Sequence, residues 1–106
     1  MAKIIGEVEQ GEREAVSYSI VFDDYSTVTL ANVYVYRGST DVTSTVMPSG
    51  AHSTSNNVVT LKPLTALTGG DTYIIDITVT VTGDQTLQRW IRVRGIRNET
   101  GTVRVK

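Results

Sequence analysis

Residues 64–81 constrain the fold more than any other stretch of this chain. Leu64 and Leu67 form a short apolar corner, Gly69-Gly70 follows, and a long alternation starts at Tyr73. Tyr73, Ile75, Ile77, Val79 and Val81 fall on one side of it, and Asp76, Thr78, Thr80 and Thr82 on the other. A period of two over that length is a half-buried strand. A leucine pair, a double glycine and a strand-initial tyrosine together read as the corner of a Greek-key sandwich. The leucines pin the crossover between sheets, and the glycines supply turn freedom. The tyrosine hydroxyl can return a bond to the crossover backbone.

The rest of the chain agrees with an all-β reading. Threonine (16) and valine (15) outnumber alanine and leucine (5 each), and β-branched residues suit a pleated surface and lose rotamer freedom in a helix. No segment has helical periodicity. With 106 residues the chain holds one core. Strands are expected at Glu14–Phe22, with Val16, Tyr18, Ile20 and Phe22 inward, and at Thr27–Tyr36. In the latter, Ala31, Val33 and Val35 take one face, and Tyr34 and Tyr36 the other. Short strands are expected at Val42–Met47 and Val58–Lys62, the second with Val59 and Leu61 inward. Longer ones are expected at Thr72–Thr82 and Thr86–Arg94. Residues 23–26, 37–41 and 51–57 read as turns and loops, and Gly83-Asp84 as a two-residue type II′ hairpin turn. That is six strands, or seven with Lys3–Val8, and strands of this length and spacing suggest an immunoglobulin- or fibronectin-like Greek-key β-sandwich. The immunoglobulin cysteine pair is missing, and Trp90 falls too late to be the core tryptophan of such domains.

The two ends differ in charge. Residues 1–24 carry six acids against Lys3 and Arg13, and residues 89–106 carry six cations against Glu99. The expected layout is an N-terminal arm or edge strand over residues 1–12, a sandwich over 13–96 and a C-terminal arm over 97–106. Ile5 with Glu7 and Glu9 in the first arm, and Val103 and Val105 in the second, carry some β-alternation of the kind that pairs with a neighbour's sheet edge. The overall net charge of −1 gives no global attraction to nucleic acid or an anionic membrane. No apolar run reaches the roughly 20 residues of a membrane-spanning helix. Acidic residues interrupt the start at once, so a chain native from Met1 is expected to stay in the cytoplasm where it is made.

A search for chemistry returns little. Cysteine is absent, which removes thiolate nucleophiles, thiolate metal ligands and disulfides. His52 is the only histidine and, set among serines, reads as a solvated loop residue. Asp23, Asp24, Asp41 and Asp71 lack the dense spacing of a calcium loop and read as turn caps. Neither a nucleophile elbow nor a phosphate-binding glycine motif is present, and Asn98-Glu99-Thr100 is a sequon match of low specificity. No enzyme activity, cofactor or metal is expected. The residue that stands out is Trp90. In the last strand Leu87, Ile91 and Val93 share one face, which leaves Trp90 on the other with Gln88, Arg92 and Arg94. Tryptophan among arginines is typical of protein interfaces. The competing readings are a cation–π pair with Arg92 or Arg94, and base or sugar stacking, which needs Tyr34 and Tyr36 on the same sheet. A one-residue slip of this strand buries Trp90 and exposes Leu87, Ile91 and Val93.

Several segments in order carry a resemblance: Val16 to Tyr25, Val33-Tyr34-Val35, Thr40 to Ser44, Leu64 to Tyr73, Gly83 to Leu87, and Arg92-Val93-Arg94. Over roughly residues 15–95 the chain resembles small Ig-like virion proteins of tailed bacteriophages, the fiber-tail adaptors and head or neck decoration proteins. The resemblance implies a non-enzymatic structural subunit, assembled in the host bacterial cytoplasm and located in the virion. Its partners are then other virion proteins or copies of itself, with no membrane and no direct nucleic-acid contact. The contact residues expected from the sequence are Gln88, Trp90, Arg92 and Arg94, with Ile4, Ile5, Val103 and Val105 from the arms. The alternative is an Ig-like module that binds a host surface glycan or receptor through Tyr25 and Tyr36.

Overall fold

The computed structural model describes residues 3–96, with side chains from Gly6 onward. It is an all-β sandwich of eight strands and one helical turn. The strands are β1 (Lys3–Gly11), β2 (Ser19–Val21), β3 (Val28–Arg37), β4 (Thr40–Asp41), β5 (Ser53–Ser55), β6 (Val58–Thr60), β7 (Thr72–Val81) and β8 (Gln85–Ile96). The turn, α1 (Thr43–Val46), lies between β4 and β5. Five strands form one sheet in the order β1-β8-β7-β3-β4, and three form the other in the order β2-β6-β5.

The alternation of β7 is borne out residue by residue. Tyr73, Ile75, Ile77, Val79 and Val81 are buried, and the residues between them are not. They meet Ile20, Val59, Leu61 and Leu64 of the facing layer in one apolar core. The corner behaves as its sequence suggests. Leu64 and Leu67 are buried, Gly70 takes a φ of 92°, and the Tyr73 hydroxyl accepts the Thr68 N–H at 2.8 Å. Gly95 of β8 closes the corner from the other side. Its N–H donates to Asp71 O (2.8 Å), and its carbonyl accepts from Gly70 N (2.9 Å).

Several expectations need correction. Of the two readings of the N-terminus, arm or edge strand, residues 3–11 take the second and run parallel to β8, with Glu7 opposite Arg92 and Glu9 opposite Arg94. Regular pairing of β2 is confined to Ser19–Val21, joined upstream by a bridge between Val16 and Leu64. Residues 37–41 are a tight hairpin with Arg37 opposite Thr40, and Gly38 takes a φ of 63°. Val42–Met47 is not a strand. Asp41 accepts the Thr43 N–H (2.9 Å) and the Thr43 hydroxyl (2.6 Å), an Asx-turn that winds the chain into α1. Residues 51–57 are not all loop, since Ser53–Ser55 pairs with β6 as an exposed edge.

Two single-residue insertions set the register. Ala31, expected inward, is an exposed bulge between Leu30 and Asn32. The turn after β7 is not two residues but three, Thr82-Gly83-Asp84, closed by Val81 opposite Gln85, with Gly83 at φ 91° and Asp84 at φ 62°. A two-residue turn at Gly83-Asp84 sets Trp90 opposite Ile77 and turns one apolar set to solvent. The third residue sets Ile91 opposite Ile75 and Trp90 opposite Asp76, so both strands bury their apolar sides. Burial overrides turn preference here. Thr82 is held out of the ladder by Thr27, whose N–H donates to Thr82 Oγ1 at 3.0 Å.

Candidate functional site

The outer face of the five-stranded sheet carries exposed Tyr34 with half-buried Tyr36 and Trp90. Register places Trp90 (β8), Asp76 (β7) and Tyr34 (β3) in one cross-strand row, and Arg92, Ile74 and Tyr36 in the next. Trp90 and Tyr34, on different strands, are therefore two strand spacings apart, about 10 Å. Tyr34 is 42% exposed, and the Tyr34 and Tyr36 rings tilt against each other at 6.3 Å between centroids. The bulge at Ala31 makes this possible. Upstream of it Val28 and Leu30 turn inward; downstream Val33 and Val35 do, which frees Tyr34 and Tyr36 to point outward.

The charges on this face are paired. Arg92 donates to Glu7 across the β8–β1 ladder, and Arg94 lies 4.0 Å from Glu9. Gln88 Nε2 donates to both carboxylate oxygens of Asp76 at 2.9 Å. Among the described residues no cation–π pair forms at Trp90, so Arg92 and Arg94 are held by acids and not by the indole. The Trp90 side chain is half-buried, with Nε1 enclosed and without a hydrogen bond among the described residues. The Tyr36 hydroxyl is pushed above its ordinary pKa, first by desolvation and then by the Asp41 and Asp76 carboxylates and Tyr34. It remains a proton donor at neutral pH. The result is an apolar and aromatic centre whose arginines are matched by Glu7 and Glu9, with Asp76 and Asp41 as further acids beside Tyr36.

The remaining expected contact residues fall as follows. Ile4 stands opposite Trp90 in the β1–β8 register, and Ile5 at the register shift next to it. Val103 and Val105 lie outside the described residues. Tyr25 and Tyr36 do not form a platform. Tyr25 packs against the core beside Phe22, at the Val28 end of β3, and Tyr36 lies at the other end.

His52 departs from expectation. It is half-buried, and its Nδ1 accepts the Lys62 N–H at 3.1 Å. Its pKa is lowered, first by desolvation and then by the Lys62 charge, so the neutral imidazole is the structural form. Asp41 is held below its usual pKa, foremost by the Thr43 hydroxyl and N–H. Asp71 sits 3.8 Å from Arg37. Among the described residues no group of three acidic or imidazole side chains is placed to hold a metal ion, and no helix is long and apolar enough to cross a membrane.

One residue that sequence reasoning missed is Gln10. It is 1% exposed and fully engaged. Its Nε2 donates to Leu64 O (2.7 Å) and Glu14 O (3.1 Å), and its Oε1 accepts from Tyr18 OH (2.8 Å). The Tyr18 pKa is raised by desolvation and then by Glu14, which keeps the donor in place. The signal was available, because Val8 and Gln10 share the inward parity of β1 while Glu7 and Glu9 face out.

No family model matches this chain, and no curated protein is similar to it at a significant level.

Proposed function

We propose that this chain is a non-enzymatic structural or assembly subunit of a tailed-phage virion, an adaptor or decoration protein that acts through protein–protein contacts. One observation carries the interface reading: Trp90, Tyr34, Tyr36 and Ile74 meet on one sheet face whose arginines are already matched by Glu7 and Glu9. Phosphate binding needs unmatched cations, so the face suits a protein better than a nucleic acid. The phage assignment rests on the sequence resemblance. The strand order supports its Ig-like part: a β8-β7-β3-β4 sheet faces β2-β6-β5, as the G-F-C-C′ and B-E-D strands do in variable-type immunoglobulin domains.

Trp90→Ala tests the interface. A central tryptophan contributes about 2 kcal/mol or more to association, so the variant should bind its partner, or itself, about thirty-fold more weakly with an unchanged circular dichroism spectrum. Full assembly with Trp90→Ala removes the claim. Mass spectrometry of purified particles, or the neighbouring genes, tests the virion location. Hits on a glycan array without oligomers or particle incorporation would favour the glycan-binding alternative.

A further inference from the structure

Strand β2 has one paired edge and one open edge. Phe22 N donates to Asn57 O (2.9 Å), and Leu61 N donates to Tyr18 O (2.8 Å), with Ile20 opposite Val59 between them. Main-chain groups alternate sides along a strand, so the even-numbered residues face β6, and the N–H and C=O of Ser19 and Val21 face away from it. β2 ends its sheet, and among the described residues no strand pairs with those groups. Beside them is a cleft of about 440 Å³ between the β1 edge of one sheet and the β2 edge of the other. Val8, Tyr18, Ile20, Phe22 and Ile91 supply its apolar lining, with Arg89 beside Ile91 and with Asp23 and Asp24 at one end. Val21 on the rim is 54% exposed. An open edge over a partly apolar cleft is the geometry that accepts an added strand.

We propose that the cleft receives residues 102–106 of a second copy of this chain as an extra strand on β2. Thr102-Val103-Arg104-Val105-Lys106 alternates apolar with cationic residues. Bonded to the Ser19 and Val21 main chain, it sets Val103 and Val105 over Ile20 and Ile91. Five residues span about 17 Å, enough to cover β2 and reach the Asp23-Asp24 turn. Charge agrees at the Asp23-Asp24 end, where two acids outweigh the one cation of the lining, Arg89, because residues 97–106 carry Arg97, Arg104 and Lys106 against Glu99 alone. The donor is a neighbouring copy for a topological reason. β8 ends at Ile96, whose carbonyl accepts from Glu12 N (3.0 Å), at the pole where residues 12–18 already pass from β1 to β2. To reach its own cleft a chain has to cross that link on the same edge, which folds avoid; a neighbour's segment does not. This deepens the assembly reading and rests on it.

The test is hydrogen exchange on the full chain across a concentration series, with sedimentation run in parallel. As oligomers form, the Ser19 and Val21 amides should slow at least ten-fold. Val103→Asp/Val105→Asp should abolish both effects at unchanged circular dichroism. A synthetic peptide of residues 97–106 should slow the same two amides in dilute protein. Oligomers with fast Ser19 and Val21 amides and normal assembly of the double variant overturn the inference and leave the Trp90 face standing. A monomeric chain whose two amides ignore the peptide overturns it as well. If Trp90→Ala assembles normally and the double variant does not, the strand exchange holds and the Trp90 interface falls.

Discussion

The corner that dominates the sequence depends on a glycine outside it. A Cβ on Gly95 would stand 2.5 Å from Thr68 O and 3.3 Å from Asp71 O. Ordinary contact begins at 3.4 Å, so Gly95→Ala needs a shift of about 0.9 Å against backbone, where no flexible side chain can give way. The two hydrogen bonds at this position, Gly95 N to Asp71 O and Gly70 N to Gly95 O, are the first to break. Each is worth about 1 kcal/mol, and overpacking adds about 1–3 kcal/mol, for a cost of about 3–5 kcal/mol. Domains of this size have roughly 5–15 kcal/mol in total, so the variant should lose a large share of its stability. The assay is urea unfolding followed by Trp90 fluorescence, and the expected result is a lower midpoint at an unchanged slope. Gly6→Ala is the control. Its Cβ would meet nothing within 4 Å and its φ is not left-handed, so its stability should stay within about 0.5 kcal/mol. A Gly95→Ala loss below about 1 kcal/mol, with slow exchange retained at the Gly70 and Gly95 amides, would refute the close-approach argument.

Other outcomes follow from the polar contacts. Gln10→Leu leaves Leu64 O, Glu14 O and the Tyr18 hydroxyl without their partner, and chemical denaturation should register a loss of about 2–4 kcal/mol. Adding Tyr18→Phe should cost less than the sum of the single changes. Tyr73→Phe deletes the acceptor of the Thr68 N–H; thermal unfolding should show about 1–2 kcal/mol lost with the fold intact. The His52 pKa is lowered in the folded state, so the unfolded chain binds the proton more readily. The stability linked to His52 is then full above the ordinary value of 6.5 and falls as pH drops below it. Melting temperatures at pH 7.5 and 5.5 should differ in the parent more than in His52→Gln, and equal differences in the two proteins would contradict the assignment.

The parts legible in the sequence are those where burial and strand period act together. In β7 every second residue is apolar, and in β8 Leu87, Ile91 and Val93 keep the same period, so the inward set, the Tyr73 bond and the shared face of Gln88, Trp90, Arg92 and Arg94 could be read directly. β4, β5 and α1 could not, because two or three exposed polar residues in the strands, and a single turn with one buried residue, Val46, carry no period. Their conformation comes from an Asx-turn at Asp41 and from pairing with β6, neither of which hydrophobic pattern encodes. Gln10 was missed for a related reason. A buried polar residue is legible only when its partners are known, and they come from positions 14, 18 and 64.

The aromatic face itself is the product of two one-residue irregularities that sequence period alone misplaces. In β3 the inward residues switch parity at Ala31, from Val28 and Leu30 to Val33 and Val35. Without the bulge, a strand that buries Val28 and Leu30 also turns Tyr34 and Tyr36 into the core. In the β7–β8 hairpin the third loop residue keeps Trp90 opposite Asp76, not Ile77. Bulges are recurrent devices for re-aiming side chains, and here both act on the same face. One brings Tyr34 and Tyr36 out on β3, and the other keeps Trp90 out on β8. The core would be satisfied by either irregularity in its own strand. Their coincidence on one surface follows from the shared pairing of β3 and β8 with β7, which makes β7 the strand that aligns the two halves of the proposed interface.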